Sequence, residues 1–584
     1  LCTVDGLAAF HCRRMGLRLV PAFPLESRPA LLAGHELADP DPNRAAQTLG
    51  HTYDARSIAA CAWGAPSAAF GHRFARFDGP QRCPRLPGPP YLFMTRVTGI
   101  DAPAAAPDGS PVAGGSIVAE YQVPPDAWYF GENGCRTMPY AVLLEAALQP
   151  CGWFASYKGS VLAAAEELYF RNLDGTATQY AEVLPHSGVL RTHVTNTSLS
   201  RLGAMTIVGF DVTCFVGDTR VFAMATTFGF FPKAALASQA GLPADDERRL
   251  RLAEPSDFRR ELGPRPPRYC AGNLALPGPM LLLLDRISGF WPEGGAAGLG
   301  RVRAEIDVDA RDWFFQSHFM GDSVQPGSLG LEAMLQTLQF YMIETGMGAG
   351  IDGARFEPIQ LDAAMTWKYR GQVMPTAQRV TVELEITAKA SDSRQATAVG
   401  TASLWVDGLR IYEASNVGMR IVPGSGTDAV AGDERLDPAV DTWLNDHCPT
   451  WTLPALAMMS MADRLAAGAA VRAPGRKVIG FRNLRVLRWL PFAEGEQADG
   501  KARTLRLLGT PYGSDTVAMQ LLAWDAGRAA WQSVAAGDVV VGEHWQLPPG
   551  PWPAIVGEHQ EPNPYAAGVL FHGPAYQLLT ELRM

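Results

Sequence analysis

His318, Gly327, Ser328 and Glu332 fall within one short stretch of the chain. His318 precedes an apolar run that opens at Pro326, and Gly327 and Ser328 sit in the first turn of the helix expected there. Glu332 comes six residues after Pro326, about 9 Å along a helix axis at 1.5 Å per residue. Neutral imidazole suits proton abstraction near pH 7. Free N–H groups at a helix start can hold an oxygen that gains negative charge, and glycine lets the backbone come close. A carboxyl in an apolar setting has a raised pKa and can stay protonated until it gives its proton away. Elimination of water from a 3-hydroxyacyl thioester needs those three parts. On spacing alone a plainer reading carries more weight. A histidine near a buried helix is more often a hydrogen-bonded core residue, and a glutamate in an apolar helix can simply reach an edge.

The elements that would position these residues occur twice. Leu86-Pro87-Gly88-Pro89 recurs as Leu276-Pro277-Gly278-Pro279, with Arg96 and Gly99 matched by Arg286 and Gly289. Trp128-Tyr129-Phe130 recurs as Trp313-Phe314-Phe315, and Leu144 to Gln149 recurs as Leu331 to Gln336. The order is kept, which makes chance a poor explanation. In each unit a proline opens an apolar helix, Pro139 to about Tyr157 and Pro326 to about Thr345. Proline suits a first turn because the N–H it lacks would be unpaired there. Both helices are apolar nearly all round and should be buried. Runs rich in strand-favouring residues follow, among them 207–216 and 220–231, then 378–390 and 396–406. One buried helix wrapped by a long antiparallel sheet is the hotdog plan, an α+β fold. Two tandem units can join their sheets as a pseudo-dimer.

Bulk properties narrow the classes. The 584 residues are 47% hydrophobic and 19% charged, with net charge -9. That is a globular composition without a basic stripe, so nucleic acid is an unexpected partner. The apolar run 280–284 is far too short to cross a bilayer, and no membrane partner is expected. Nine dispersed cysteines without CxxC spacing point to a reducing, cytoplasmic setting. No metal set is apparent. Leu1 at the start and the motif-like run near Met584 suggest a segment of a longer polypeptide.

The run His318-Phe319-Met320-Gly321-Asp322-Ser323-Val324-Gln325-Pro326-Gly327-Ser328-Leu329-Gly330-Leu331-Glu332 resembles the active-site segment of FabA-like 3-hydroxydecanoyl thioester dehydratases. Trp367 to Thr376 is similar to a later segment of the same family. The tandem arrangement resembles the dehydratase region of polyunsaturated fatty acid synthases over roughly residues 50–425. The resemblance implies His318 as base, the helix start at Gly327 and Ser328 as substrate-binding donors, and an acid at the Glu332 position. Stand-alone members usually carry Asp there. In the dimeric family each site pairs the His of one hotdog with the acid of the other. Applied here, that implies His318 facing Glu145, and Glu332 facing a site without a base, because no His lies between Trp128 and Pro139.

A third region resembles polyketide-synthase dehydratases more weakly. Asp446-His447 followed by Leu453-Pro454-Ala455 is similar to their first hotdog, and Leu570 to Tyr576 to the start of their second. The resemblance implies His447 as a further base, with Gly573 and Tyr576 on the substrate side. The expected division is a lead-in (1–85), a first hotdog (86–240), a linker (241–270), a second hotdog (271–425), a polyketide-type hotdog (426–545) and the start of another (546–584). The family implies 3-hydroxyacyl-[acyl carrier protein] dehydratase activity, with trans-2/cis isomerisation also allowed. It implies no organic cofactor and no metal, because substrate arrives on the phosphopantetheine of an acyl carrier protein domain. Other domains of a parent synthase are expected partners, and a homodimer is an allowed assembly. Two other readings stay open: a hotdog acyl-thioesterase, and a non-catalytic structural or docking double hotdog.

Overall fold

The computed structural model describes residues 41–102, 113–424, 433–492 and 501–544 apart from a few positions within them. It also describes short stretches within 2–10 and 560–583. The chain divides into two compact units, one spanning 20–424 and one comprising 1–19 with 425–584.

In the larger unit both repeats fold the same way. The first has strands Arg96–Asp101, Ser116–Gln122, Leu168–Gln179, Val189–Leu202, Met205–Val216 and Thr219–Pro232. Their order across the sheet is first, second, fourth, fifth, sixth, third. The second repeat has Arg286–Trp291, Arg301–Asp307, Ala364–Tyr369, Arg379–Ser391, Ala396–Val406 and Leu409–Val422, in the mirrored order. The two sheets join where the third strands pair antiparallel, with Thr366 opposite Thr176. Their hydroxyls lie 3.0 Å apart. Beside them Trp367 donates its indole N–H to the side-chain oxygen of Asn172 at 2.8 Å. The alternation Val380, Val382, Leu384, Ile386 buries one face of its strand, as the period of two requires.

Each repeat wraps its sheet around a central helix, Tyr140–Tyr157 in the first and Gly327–Glu344 in the second. Every residue of the first helix except Gly152 is buried, and the second is buried from Ser328 through Met342. Burying one leucine fully stabilises by about 1.5–3 kcal/mol. Both helices stop at a turn closed by a glycine in the left-handed region, Gly159 (φ 88°) and Gly346 (φ 69°). One detail corrects the sequence expectation. Pro139 and Pro326 are the caps before the helices, with extended backbone (ψ 149° and 134°), so they lie outside the first turn. Gly327 and Ser328 therefore take the first two helical positions.

Residues 41–85 are integral to this unit. The helices Ala55–Trp63 and Pro66–Phe70 lie against the first central helix, where the Phe70 and Trp153 ring centroids are 5.6 Å apart. The connection between repeats, expected as a linker (241–270), contains helix Asp246–Ala253 and strand Arg260–Glu261, which extends the sheet beside Arg286–Trp291.

The smaller unit has a five-stranded antiparallel sheet: Glu434–Leu436, Arg503–Tyr512, Thr516–Asp525, Ala530–Gly542 and Lys477–Val486. Helix Met458–Arg472 packs on it through Met461, Leu465 and Ala469. No helix among the described residues is long and apolar enough to cross a membrane.

Leu338 is fully buried in the second central helix. Leu338→Ala should lower the stability of the larger unit by about 2–5 kcal/mol, read as an earlier denaturant midpoint by tryptophan fluorescence.

Candidate active site

His318 caps the short helix Trp313–Ser317, its N–H bonded to the Phe314 carbonyl. Its Nδ1 lies 2.9 Å from the Val324 carbonyl, an acceptor, so Nδ1 carries the proton and Nε2 carries the lone pair. Burial lowers its pKa to about 3, against the opposing effect of the Val324 bond, so the ring is neutral at pH 7. The loop that holds it is clamped from the other repeat. Arg171 of the first sheet donates to both Asp322 carboxylate oxygens at 2.7 and 2.8 Å and to Gln372 at 2.7 Å. Arg82 of the lead-in donates to the Gly321 carbonyl.

His318, Glu145, Gly327 and Ser328 line one cavity of about 90 Å³. Ser328 comes from the second central helix and Glu145 from the first. The Ser328 hydroxyl donates to Glu145 Oε2 at 2.8 Å and lies 3.0 Å from the Tyr91 hydroxyl. Gln149 Nε2 reaches Glu145 Oε1 at 3.3 Å. The same amide is fixed by the backbone: Nε2 donates to Tyr91 O, and Oε1 accepts from Phe93 N–H. Burial raises the Glu145 pKa to about 7, partly offset by the bonds from Ser328 and Gln149. The first N–H groups of the second central helix have no acceptor within that helix. A Cβ at Gly327 would lie 2.6 Å from the Tyr369 ring. The missing side chain is what lets the Tyr369 ring pack against this helix start.

Glu332 does not line this cavity. It occupies the sister position, where Gln336 donates to its Oε1 at 3.1 Å and is itself held by Leu281 and Leu283. Burial raises its pKa to about 7, opposed by Gln336 and by the Ala141 N–H at the start of the first central helix. The two acids thus face the opposite helix starts.

Sequence comparison alone misses the counterpart of His318. It is Asn133. Asn133 caps helix Trp128–Glu132, as His318 caps Trp313–Ser317. Its side-chain N–H₂ donates to the Thr137 carbonyl at 2.8 Å, where His318 meets Val324. The hydrogen bond is kept and the titratable nitrogen is gone. The first helix also begins with Tyr140 and Ala141 where the second has Gly327 and Ser328. Counting forward from Trp128 and Trp313 would have found the pair. The first repeat is two residues shorter than the second between this position and the proline before its central helix, and that deletion offsets the two loops only after Asn133.

In the smaller unit His447, Gly573 and Tyr576 come together across a long stretch of chain. His447 Nδ1 lies 2.8 Å from the Ala455 carbonyl, the arrangement seen at His318. The His447 ring is 5.5 Å from that of Tyr576, whose hydroxyl is 3.0 Å from Ser460 Oγ. Gly573 N–H donates to the Asp446 carbonyl at 2.8 Å, so this amide is already used. Among the described residues no group of acidic, histidine or cysteine side chains could hold a metal ion.

Residues 86–225 and 276–415 each match the model of the FabA-like domain. A polyunsaturated fatty acid synthase polypeptide of Thraustochytrium sp. is 29% identical over 385 residues, covering 62% of this chain and 25% of that protein. The chain thus spans about a quarter of that relative's length. Among solved structures, a bifunctional dehydratase-cyclase domain of ambruticin biosynthesis aligns at 15% identity and TM-score 0.30, over 57% of this chain and 95% of its own. A dehydratase domain of the curacin polyketide synthase aligns at 9% identity and TM-score 0.33, over 56% and 96%.

Both buried acids have folded-state pKa values raised from 4.5 to about 7. The unfolded chain releases these protons first, so stability should fall as pH rises from about 4.5 to about 7 and then level off. The double variant Glu145→Gln, Glu332→Gln should flatten that dependence in denaturant titrations. Asn133→Ala should cost about 1–3 kcal/mol of stability by leaving the Thr137 carbonyl unpaired, and should leave turnover unchanged.

Proposed function

With residues 86–225 and 276–415 as two FabA-like domains in tandem, we propose that the double hotdog is a 3-hydroxyacyl-[acyl carrier protein] dehydratase with one working site. The observation that carries this reading is the meeting of His318 and Glu145, from different repeats, on one cavity beside the start of the second central helix. Substrate is a 3-hydroxyacyl thioester on the phosphopantetheine arm of a carrier domain in a fatty-acid or polyketide-type synthase. His318 Nε2 takes a proton from C2. The Gly327 and Ser328 N–H groups hold the thioester oxygen as charge builds on it. Glu145, protonated, gives its proton to the C3 hydroxyl, which leaves as water, and a C2–C3 double bond forms. The imidazolium then returns its proton to the carboxylate through solvent, restoring both groups. No cofactor enters the sequence of steps.

The second repeat's acid is not part of this site. Glu332 faces Ala141, and the position that would hold its base is Asn133. His447 carries the same Nδ1-to-carbonyl bond as His318. It is the base we assign to a further, polyketide-type site, with Tyr576 on its substrate side.

Incubation of the chain with a 3-hydroxyacyl-loaded carrier protein tests the reaction. Intact-protein mass spectrometry should show loss of roughly 18 mass units from the carrier, the water removed by acid–base elimination. Carrier stripped of its acyl group would instead report a thioesterase, and carrier left unchanged would report a structural role. His318→Ala or Glu145→Gln should lower kcat by about a hundred- to ten-thousand-fold, while Glu332→Gln stays within a few-fold of the parent. The reaction needs neutral His318 and protonated Glu145, whose pKa values are about 3 and about 7. The pH profile of turnover should therefore be flat between these values and fall as pH rises through about 7.

A further inference from the structure

The loop that carries His318 is tied to the opposite repeat by one arginine. Arg171 lies in strand Leu168–Gln179 of the first repeat, the strand that forms the seam. Its fork holds both Asp322 carboxylate oxygens at 2.7 and 2.8 Å, and its Nε–H donates to the Gln372 side-chain oxygen at 2.7 Å. A further bond, to the Phe170 carbonyl at 2.8 Å, anchors the guanidinium to its own strand. With side chains 11% and 19% exposed, Arg171 and Asp322 are mostly withdrawn from water. A bidentate guanidinium–carboxylate pair fixes direction as well as distance. Both partners of Arg171 lead to the imidazole. The ring is oriented by the Val324 carbonyl, two residues beyond Asp322, and the Val324 N–H returns to the His318 carbonyl at 2.9 Å. Between them Phe319 and Asp322 exchange backbone bonds at 3.1 Å. At the end of the loop the Gln325 N–H donates to the carbonyl of Val373, the neighbour of Gln372, at 3.0 Å. The guanidinium and the carboxylate push the ring's pKa in opposite directions, so the pair gives the histidine placement and not charge.

The sister loop keeps half of this arrangement. There Arg355, of the second repeat, donates to both Glu182 carboxylate oxygens at 2.6 and 2.9 Å. Glu182 matches Gln372, because Ala181 to Pro185 aligns with Gly371 to Pro375. The Met138 N–H meets the Val183 carbonyl at 2.8 Å, as Gln325 meets Val373. Residues 134–138 contain no acid, however. The tie from arginine into the loop itself is present where the loop carries an imidazole and missing where it carries Asn133.

We propose that Arg171 is a positioning residue for His318: the repeat without a histidine in its own loop supplies the arginine that, through Asp322 and Gln372, aims its sister's base. The proposal rests on the dehydratase reading of the cavity and adds, beside Glu145, a second residue that the first repeat lends to it. Arg171→Met keeps the stem and removes the fork. On 3-hydroxydecanoyl-carrier protein it should lower kcat roughly ten- to a hundredfold and leave KM little changed, the split expected when alignment and not binding is lost. Asp322→Asn tests the same clamp from its other end and should cost about as much. The double variant should lose little more than either single one, since both act through one loop. Arg355→Met breaks the sister pair, so it controls for loosening of the fold, and it should leave kcat unchanged. A raised KM with kcat kept would mean that the guanidinium touches substrate. Equal kcat losses in the Arg171 and Arg355 variants would mean general loosening. Either result overturns the proposal.

Nitrogen-15 NMR of the histidine-labelled chain reads the placement without turnover, the His318 signals being those lost in His318→Ala. The parent should show Nδ1 protonated, and Arg171→Met should move the ring towards a mixture of its two tautomers. His318 signals that stay in place would overturn the proposal. A parent chain that removes no water would sink the dehydratase reading, and the His318 signals alone would then decide whether Arg171 aims the ring.

Discussion

Pairing of two third strands, Leu168–Gln179 with Ala364–Tyr369, fixes everything else in the larger unit. Edge strands with unpaired N–H and C=O groups seek a partner, and here each repeat supplies the other's. Once the sheets are continuous, their two central helices must share the interior behind the seam. The start of each helix then lies against the middle of the other. Ser328 meets Glu145 for that reason, and Ala141 sits by Glu332. Cross-repeat contacts at the seam, from Arg171 to Asp322 and from Trp367 to Asn172, keep the histidine loop in register with the opposing helix.

Burial acts in opposite directions on the two kinds of group at this seam. It disfavours charge, so the imidazole is neutral at pH 7 and the carboxyl keeps its proton up to about pH 7. An uncharged imidazole and an uncharged carboxyl can thereby line one cavity without neutralising one another. Gln149 and Gln336 add the geometric part. Each amide is locked to the backbone at both ends and presents one N–H to its glutamate. The cost of a buried carboxyl is tolerable because the acid is hydrogen-bonded and, below about pH 7, uncharged.

Much of this was legible in the sequence, because the repeat placed the two helices and the two acids at matching positions. Strand periodicity located runs such as 396–406. The exact role of Pro139 and Pro326 was not legible. Either site before or within the first turn satisfies a proline, and only the backbone angles decide. Asn133 escaped notice because an amide carries no catalytic signal and because a deletion offsets it from the helix behind. The contribution of residues 41–85 was hidden for another reason. Phe70 on Trp153 and Arg85 on Ala60 are contacts that no local pattern announces, between short helices without a long apolar period.

Asn133 has one more implication, which follows from both hotdogs lying on a single chain. In a dimer of identical subunits, a change from imidazole to amide strikes every catalytic centre at once, and the enzyme is lost. Joined in tandem, the halves are free to drift apart. One keeps an imidazole while its sister carries an amide in the same place and still sets its own carboxyl against the other's helix start. Covalent fusion thus lets two copies of one plan carry different side chains at the same place.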